Sequence, residues 1–161
     1  MKFRTGIGYD VHAFAEGRPL VLGGQVIPHS HGLLGHSDAD VLSHAIADAI
    51  LGAIGEPDIG YWFPPTDASI EGISSLEILK KAAERVAAAK GRIENIDSTL
   101  IAEAPKVMPH ADAMKATIAE ALGLSPRDVG IKATTNERMG FVGREEGIAA
   151  MAVAAVVINE P

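Results

Sequence analysis

The chain has 161 residues, a formal charge of −7 and no cysteine. That length fits one domain over residues 1–161. The acidic balance argues against a broad nucleic-acid surface, and the missing thiols exclude disulfides, thiolate metal sites and a cysteine nucleophile. No stretch reaches bilayer-spanning length and the N-terminus lacks the form of a signal peptide, so a soluble cytoplasmic protein without a membrane partner is expected. Aromatic residues make up only 4%, which favours close approach of elements through small side chains.

Residues 3–12 alternate like a strand, with Phe3, Ile7, Tyr9 and Val11 on one face and Gly6, Gly8, Asp10 and His12 on the other. Leu20–Leu22 and Gln25–Ile27 flank Gly23-Gly24 as a small hairpin. A polar loop runs on through His36. Ser37 or Asp38 is expected to cap a first helix that ends near Gly52 or Gly55. Its apolar stripe is Val41, Ala45, Ile46, Ala49 and Ile50, beside a polar face of Asp40, His44 and Asp48. A Gly- and Pro-rich loop occupies residues 55–67. A second helix is predicted over 74–90, a strand over 96–102, a turn at 105–109 and a third helix over 109–122. Val129–Ala133 reads as a strand, 134–147 as a polar loop, and Ile148–Ile158 as an apolar strand covered on both faces.

The resulting fold class is α/β, an α+β sandwich with helices on one face of a mixed sheet. The other face needs a cover, which another subunit can supply.

Asp10, His12 and His44 carry the sharpest chemistry. One carboxylate and two imidazoles hold a divalent metal and leave a coordination position open, the signature of a catalytic site. Nitrogen and oxygen donors suit zinc first, then manganese, iron or cobalt. Read without His44, Asp10 and His12 are more simply a polar sheet face. Asp40 and Asp48 read as a solvated helix face, with orientation of His44 as the alternative role. His36-Ser37-Asp38 fits helix capping or a substrate loop. Residues 132–138 fit a polar turn or a phosphate and cation site. Residues 102–109 fit a rigid turn or a base pocket.

Together Gly8-Tyr9-Asp10-Val11-His12, His36-Ser37-Asp38-Ala39-Asp40-Val41 through His44, Asp58-Ile59-Gly60 with Phe63-Pro64, Ala104-Pro105-Lys106 and Lys132-Ala133-Thr134-Thr135 closely resemble the 2-C-methyl-D-erythritol 2,4-cyclodiphosphate synthases of the non-mevalonate isoprenoid pathway. The resemblance spans essentially the whole chain. It implies a homotrimer with active sites between subunits and a cytidine diphosphate-linked substrate, 4-diphosphocytidyl-2-C-methyl-D-erythritol 2-phosphate. It assigns one zinc to Asp10, His12 and His44, and a second divalent ion, magnesium or manganese, to Glu137. His36, Ser37, Asp58, Ile59 and Gly60 fall to the methylerythritol part, Phe63 and Asp67 to substrate binding without a stated part, and Ala102, Pro105, Lys106, Val107 and Met108 to the cytidine. Ala133, Thr134, Thr135 and Asn136 fall to the phosphates, with Thr135 and Asp58 in catalytic roles. Tyr9, Phe141 and Arg144 would face a cavity on the threefold axis that accepts isoprenoid diphosphates. Three positions depart from the family pattern: Asn136 stands for the usual Thr, Pro65 for Asp and Arg138 for Lys. Two competing readings are a metal-dependent cytidine nucleotide-binding protein and a zinc phosphohydrolase with Asp40 or Asp48 as base.

Overall fold

Alternation from Phe3 to Phe14 runs through one long strand, β1 (Lys2–Ala15), in a computed structural model that describes residues 1–159. The last two residues of the expected 1–161 unit lie outside the described residues. β2 (Leu20–Leu22) and β3 (Gln25–Ile27) form the expected hairpin. β4 (Gly32–Leu33), α1 (Val41–Ala53), α2 (Ile59–Trp62), α3 (Ser75–Ala88) and β5 (Gly91–Ile101) follow. α4 (Ala111–Leu122), β6 (Val129–Thr134), α5 (Gly140–Gly143) and β7 (Gly147–Ile158) complete the order. Among the described residues no helix is long and apolar enough to cross a membrane.

The main sheet has the order β4-β1-β7-β5-β6. β5 and β6 are parallel and the other pairs antiparallel, so the sheet is mixed. α1 lies on β1 and β7, and α3 and α4 cover β5 and β6. Leu42, Ile46, Ile50, Leu79, Ile96, Leu100, Met114 and Ile118 fill the layer between. The mixed sheet with helices on one face matches the expected fold class.

Gly6 and Gly8 set how near α1 comes. A Cβ on Gly8 would sit 1.9 Å from the Ala45 carbonyl oxygen, and one on Gly6 would sit 2.0 Å from that of Ala49. Only residues without a side chain permit this contact of strand and helix backbones, and it brings His44 over Asp10 and His12.

The opposite sheet face is apolar and open. Phe3, Ile7, Tyr9, Met151 and Val153 are all exposed. Within one chain the last strand covers Ala149 and Val157, while its middle exposes every second side chain on the face expected to need a cover. The polar loop before the first helix contains β4, and the loops at 55–67 and 134–147 each contain a one-turn helix.

Helix starts also moved. Asp40, not Ser37 or Asp38, caps α1, accepting from the Ser43 amide. Its two oxygens also take the amides of Gly23 and Gly24 and the Ser43 hydroxyl. Asp40 is fully buried, so it belongs to no solvated helix face. Burial pushes its carboxyl pKa up while these donors oppose the shift.

Candidate active site

Asp10 and His12 sit two apart on β1 and therefore point the same way, towards α1. His44 comes down from α1 to meet them. Asp10 Oδ2 lies 3.0 Å from His12 Nε2 and 3.1 Å from His44 Nδ1, and the two nitrogens are 3.2 Å apart. These donor atoms form a nearly equilateral triangle. A tetrahedral ion at zinc–nitrogen distances would have a triangular face of edge about 3.3 Å, so the three donors fit a divalent metal with one vertex left open.

The outer nitrogens settle the direction of the lone pairs. His12 Nδ1 donates to the Leu34 carbonyl at 2.7 Å. His44 Nε2 meets the Ser75 hydroxyl at 2.8 Å and the Ser37 hydroxyl at 3.2 Å. With those nitrogens protonated, His12 Nε2 and His44 Nδ1 present lone pairs to each other and to a carboxylate. Such convergence repels unless a cation stands between. In the metal-free protein a proton takes that place: burial disfavours the Asp10 carboxylate, but the hydrogen bonds and charge interactions it gains when the imidazoles carry that proton outweigh this and hold its pKa well below the ordinary range. Burial likewise disfavours charged His12, yet Asp10 more than offsets it and the His12 pKa rises.

Neither Asp40 nor Asp48 orients His44. Ser75 does so, and its hydroxyl is held by Asp38, whose other oxygen accepts the Ser75 amide at 3.0 Å. Ser75 was invisible in the sequence because it lies 31 residues from His44, in an ordinary helix start. Its one signal was a second Ser beside the capping Ser74. Asp48 is half-buried and accepts the Ile59 amide at 2.9 Å. It ties α2 to α1 and is not on a solvated face.

The donor triangle lines a cavity of about 240 Å³ together with His36, Ser37, Ile59, Gly60 and Phe63. His36 Nε2 donates to the Asp67 carbonyl. Asp58 caps α2 through the Tyr61 amide, and Asp67 caps a short 3-10 turn at 68–70. Both side chains stay outside this cavity.

A second cavity, of about 420 Å³, is lined by Ala102, Pro105, Lys106, Val107, Met108, Ala133, Thr134 and Thr135. The Ala104–Pro105 peptide in its wall is cis. Glu103, which the sequence did not single out, is 4% exposed at its side chain. It accepts the amides of Asn136 at 2.9 Å and Arg138 at 3.2 Å, fastening the 134–138 loop to the wall of this cavity. Glu137 and Arg138 are both left-handed, with φ of 51° and 60°. Asn136, Glu137, Phe141 and Arg144 line neither cavity; Phe141 is exposed and Arg144 pairs with Glu146.

The two cavities do not meet within one chain. Asp10 pairs with Ala150, Ala150 with Leu100, and Leu100 with Ala133. These residues share one rung of the sheet, so the donor triangle and the second cavity stand three strand spacings apart, roughly 14 Å.

A one-sided donor triangle opening into a cavity, on a mixed sheet covered by helices, is an arrangement that fits an enzyme site able to hold a divalent metal. Known proteins narrow this further. The chain belongs to the YgbB family, whose model matches residues 3–157; its relatives are 2-C-methyl-D-erythritol 2,4-cyclodiphosphate synthases. The protein of that name from Akkermansia muciniphila is 62% identical over 157 residues, covering 97% of this chain and 93% of the relative. That from Chromobacterium violaceum is 60% identical over 116 residues, covering 72% and 73%. The bifunctional IspDF of Campylobacter jejuni superposes with a TM-score of 0.94 at 42% identity, covering 99% of this chain and 43% of that one. IspF of Plasmodium falciparum, solved as a CDP complex, gives 0.85 at 30% identity, with 98% and 97% covered.

Proposed function

We propose that this chain converts 4-diphosphocytidyl-2-C-methyl-D-erythritol 2-phosphate into 2-C-methyl-D-erythritol 2,4-cyclodiphosphate and CMP, acting as a phosphorus–oxygen lyase. The observation that carries the reading is the donor triangle with both imidazole lone pairs turned inward beside a cavity. Membership of the family and the CDP complex of a structural neighbour support the substrate class.

In this reaction an oxygen of the substrate's own 2-phosphate attacks the β-phosphorus. The bond from that phosphorus to the oxygen bridging to the α-phosphate breaks, and CMP leaves with the electron pair. No protein nucleophile is required. Zinc held by Asp10, His12 and His44 would supply charge neutralisation and alignment at the diphosphate. A second divalent ion, magnesium or manganese, would be held by Glu137. His36, Ser37, Ile59, Gly60 and Phe63 would hold the methylerythritol part, with Asp58 and Asp67 at its rim. Ala102, Pro105, Lys106, Val107 and Met108 would seat the cytidine. Ala133, Thr134, Thr135 and Asn136 would hold phosphate oxygens. Positioning of this kind lowers such barriers by roughly 7–11 kcal/mol in favourable cases.

The separation of the two cavities supports a homotrimer in which the donor triangle of one subunit faces the second cavity of the next. The open apolar face bearing Ile7, Tyr9, Met151 and Val153 supports the same packing. Tyr9, Phe141 and Arg144 would then border an axial cavity for an isoprenoid diphosphate. The hydrolase reading loses its first candidate base, because every oxygen of Asp40 is committed to buried donors.

Phosphorus NMR of the purified protein with this substrate, zinc and magnesium tests the proposal. Cyclic diphosphate with CMP is expected. Linear phosphate products, or no turnover with nucleotide retained, would overturn it. Mass in solution tests the trimer.

A further inference from the structure

The segment 55–74 borders the cavity beside the donor triangle but owns little regular structure. It contains Gly55, Pro57, Gly60, Pro64, Pro65 and Gly72, and α2 within it is only four residues long. Its backbone bonds are local turns, and those that reach the rest of the chain lie at its ends, Glu56 on Leu51 and Gly72 on His36, so side-chain contacts tie the stretch around Ile59 and Gly60 to the helices. Asp48 provides one such contact at the Ile59 amide.

Arg85 of α3 provides two more. One guanidinium nitrogen reaches Glu56 Oε1 at 2.7 Å. The same group lies over the ring of Trp62, its central carbon 4.7 Å from the ring centre, with Lys81 Nζ at 5.6 Å. Tyr61 packs edge-on against Trp62, centroids 5.1 Å apart. Glu56 and Trp62 bracket Ile59 and Gly60, so a single side chain grips the segment on both sides of its cavity-lining residues. Arginine suits this task, since its planar fork pairs with a carboxylate while its face stacks on an aromatic ring.

Two further atoms show the nature of the contact. Trp62 Nε1 and Arg85 Nε are both buried and have no hydrogen-bond partner among the described residues. The grip is therefore one of stacking and one ion pair, opposed by two unpaired donors. A clamp balanced in this way shifts measurably when a single component is removed.

We propose that Arg85 is a positioning residue: it acts through Glu56 and Trp62 to hold Ile59 and Gly60 against the substrate. The role rests on reading that cavity as the methylerythritol subsite, whereas the clamp itself does not.

Trp62 is the sole tryptophan of the chain, so tryptophan emission reports on this one place. In Arg85→Ala, acrylamide quenching of Trp62 rises about two- to threefold, and KM for the cytidylyl substrate rises about 3- to 30-fold, the range of a lost cation–ring contact. kcat stays within about twofold and bound zinc is unchanged. Arg85→Lys keeps a cation but loses the fork, and falls between the two proteins in both readouts. Unchanged quenching in Arg85→Ala would overturn the clamp. Raised quenching with an unchanged KM, or with loss of thermal stability alone, would overturn the positioning role. Wild-type protein without turnover would sink the cyclisation reading and with it the positioning role, leaving the clamp to be judged by quenching.

Discussion

Replacing Gly8 by Ala tests whether the packing of α1 on β1 builds the metal site. The new Cβ would stand 1.9 Å from the Ala45 carbonyl oxygen and 2.8 Å from the Ala49 amide, while ordinary contact begins at 3.4 Å. Strand and helix must therefore part by about 1.5 Å locally, since both clashing atoms are backbone. Overpacking of this kind costs typically 1–3 kcal/mol, and backbone against backbone puts Gly8→Ala near about 3 kcal/mol. His44 immediately precedes Ala45, so it moves with the helix. Its 3.1 and 3.2 Å edges to Asp10 and His12 then exceed the roughly 3.3 Å a tetrahedral zinc face allows. Zinc binding must squeeze the layers together again. If that returns the same strain of about 3 kcal/mol, affinity falls about 100-fold. Urea unfolding of the metal-free protein and chelator competition for zinc read the two effects separately. Gly52→Ala is the control, because its added Cβ meets nothing nearer than 3.8 Å. That change should leave zinc affinity alone and gain up to about 1 kcal/mol of helix propensity. A Gly8→Ala protein with wild-type stability and wild-type zinc affinity would refute the reasoning.

Asp40→Ala strips the cap of α1 and strands the amides of Gly23, Gly24 and Ser43; urea unfolding should show a loss of about 3 kcal/mol, and a change under 1 kcal/mol would contradict the assigned network. Ser75→Ala leaves His44 Nε2 with only the longer Ser37 contact, and zinc affinity measured against a chelator should drop about 10- to 100-fold, with Ser75→Thr recovering most of it. Acidity gives a signed test on the metal-free protein. The raised His12 pKa stabilises the fold below the unfolded imidazole value of about 6.5, and that contribution disappears as pH rises through the folded value. The depressed Asp10 pKa stabilises above the ordinary carboxylate range and is lost only in stronger acid. Melting temperature in chelator should therefore fall as pH rises from about 6 to 8, while the increment added by zinc grows over the same interval because metal needs neutral imidazole; a metal-free protein that gains stability over that interval would contradict the assignment.

Elements with a strong period were readable from sequence. β1, the hairpin, α3, β6 and β7 lie within a few residues of their expected bounds, because alternation and the 3.6-residue stripe record which face is covered. β5 begins at Gly91, five residues ahead of its expected start at Ile96, because Gly91 to Asn95 at the sheet end carries little apolar signal. β4, α2 and α5 were missed since two to four residues hold no period at all. Asp40 was misread because capping and surface display look alike in sequence; only the return of the Gly23-Gly24 turn against α1 distinguishes them. The donor triangle was legible because Asp10 and His12 share a strand face and His44 lies on a helix. Its support by Ser75 and Asp38, and the fastening of residues 134–138 by Glu103, depend on distant residues meeting in space, for which spacing leaves no mark.

The shared rung of Asp10 and Ala133 means that each chain carries one half of the proposed catalytic machinery towards either border of its sheet. In a closed ring, a chain damaged at one border still offers a sound half to its neighbour on the other side. His44→Ala subunits and subunits with a blocked Lys106 cavity would each be inactive alone. Dissociated, mixed in equal amounts and reassembled at random, they would form about one junction in four from two intact halves. Activity would thus return to a mixture of two dead proteins.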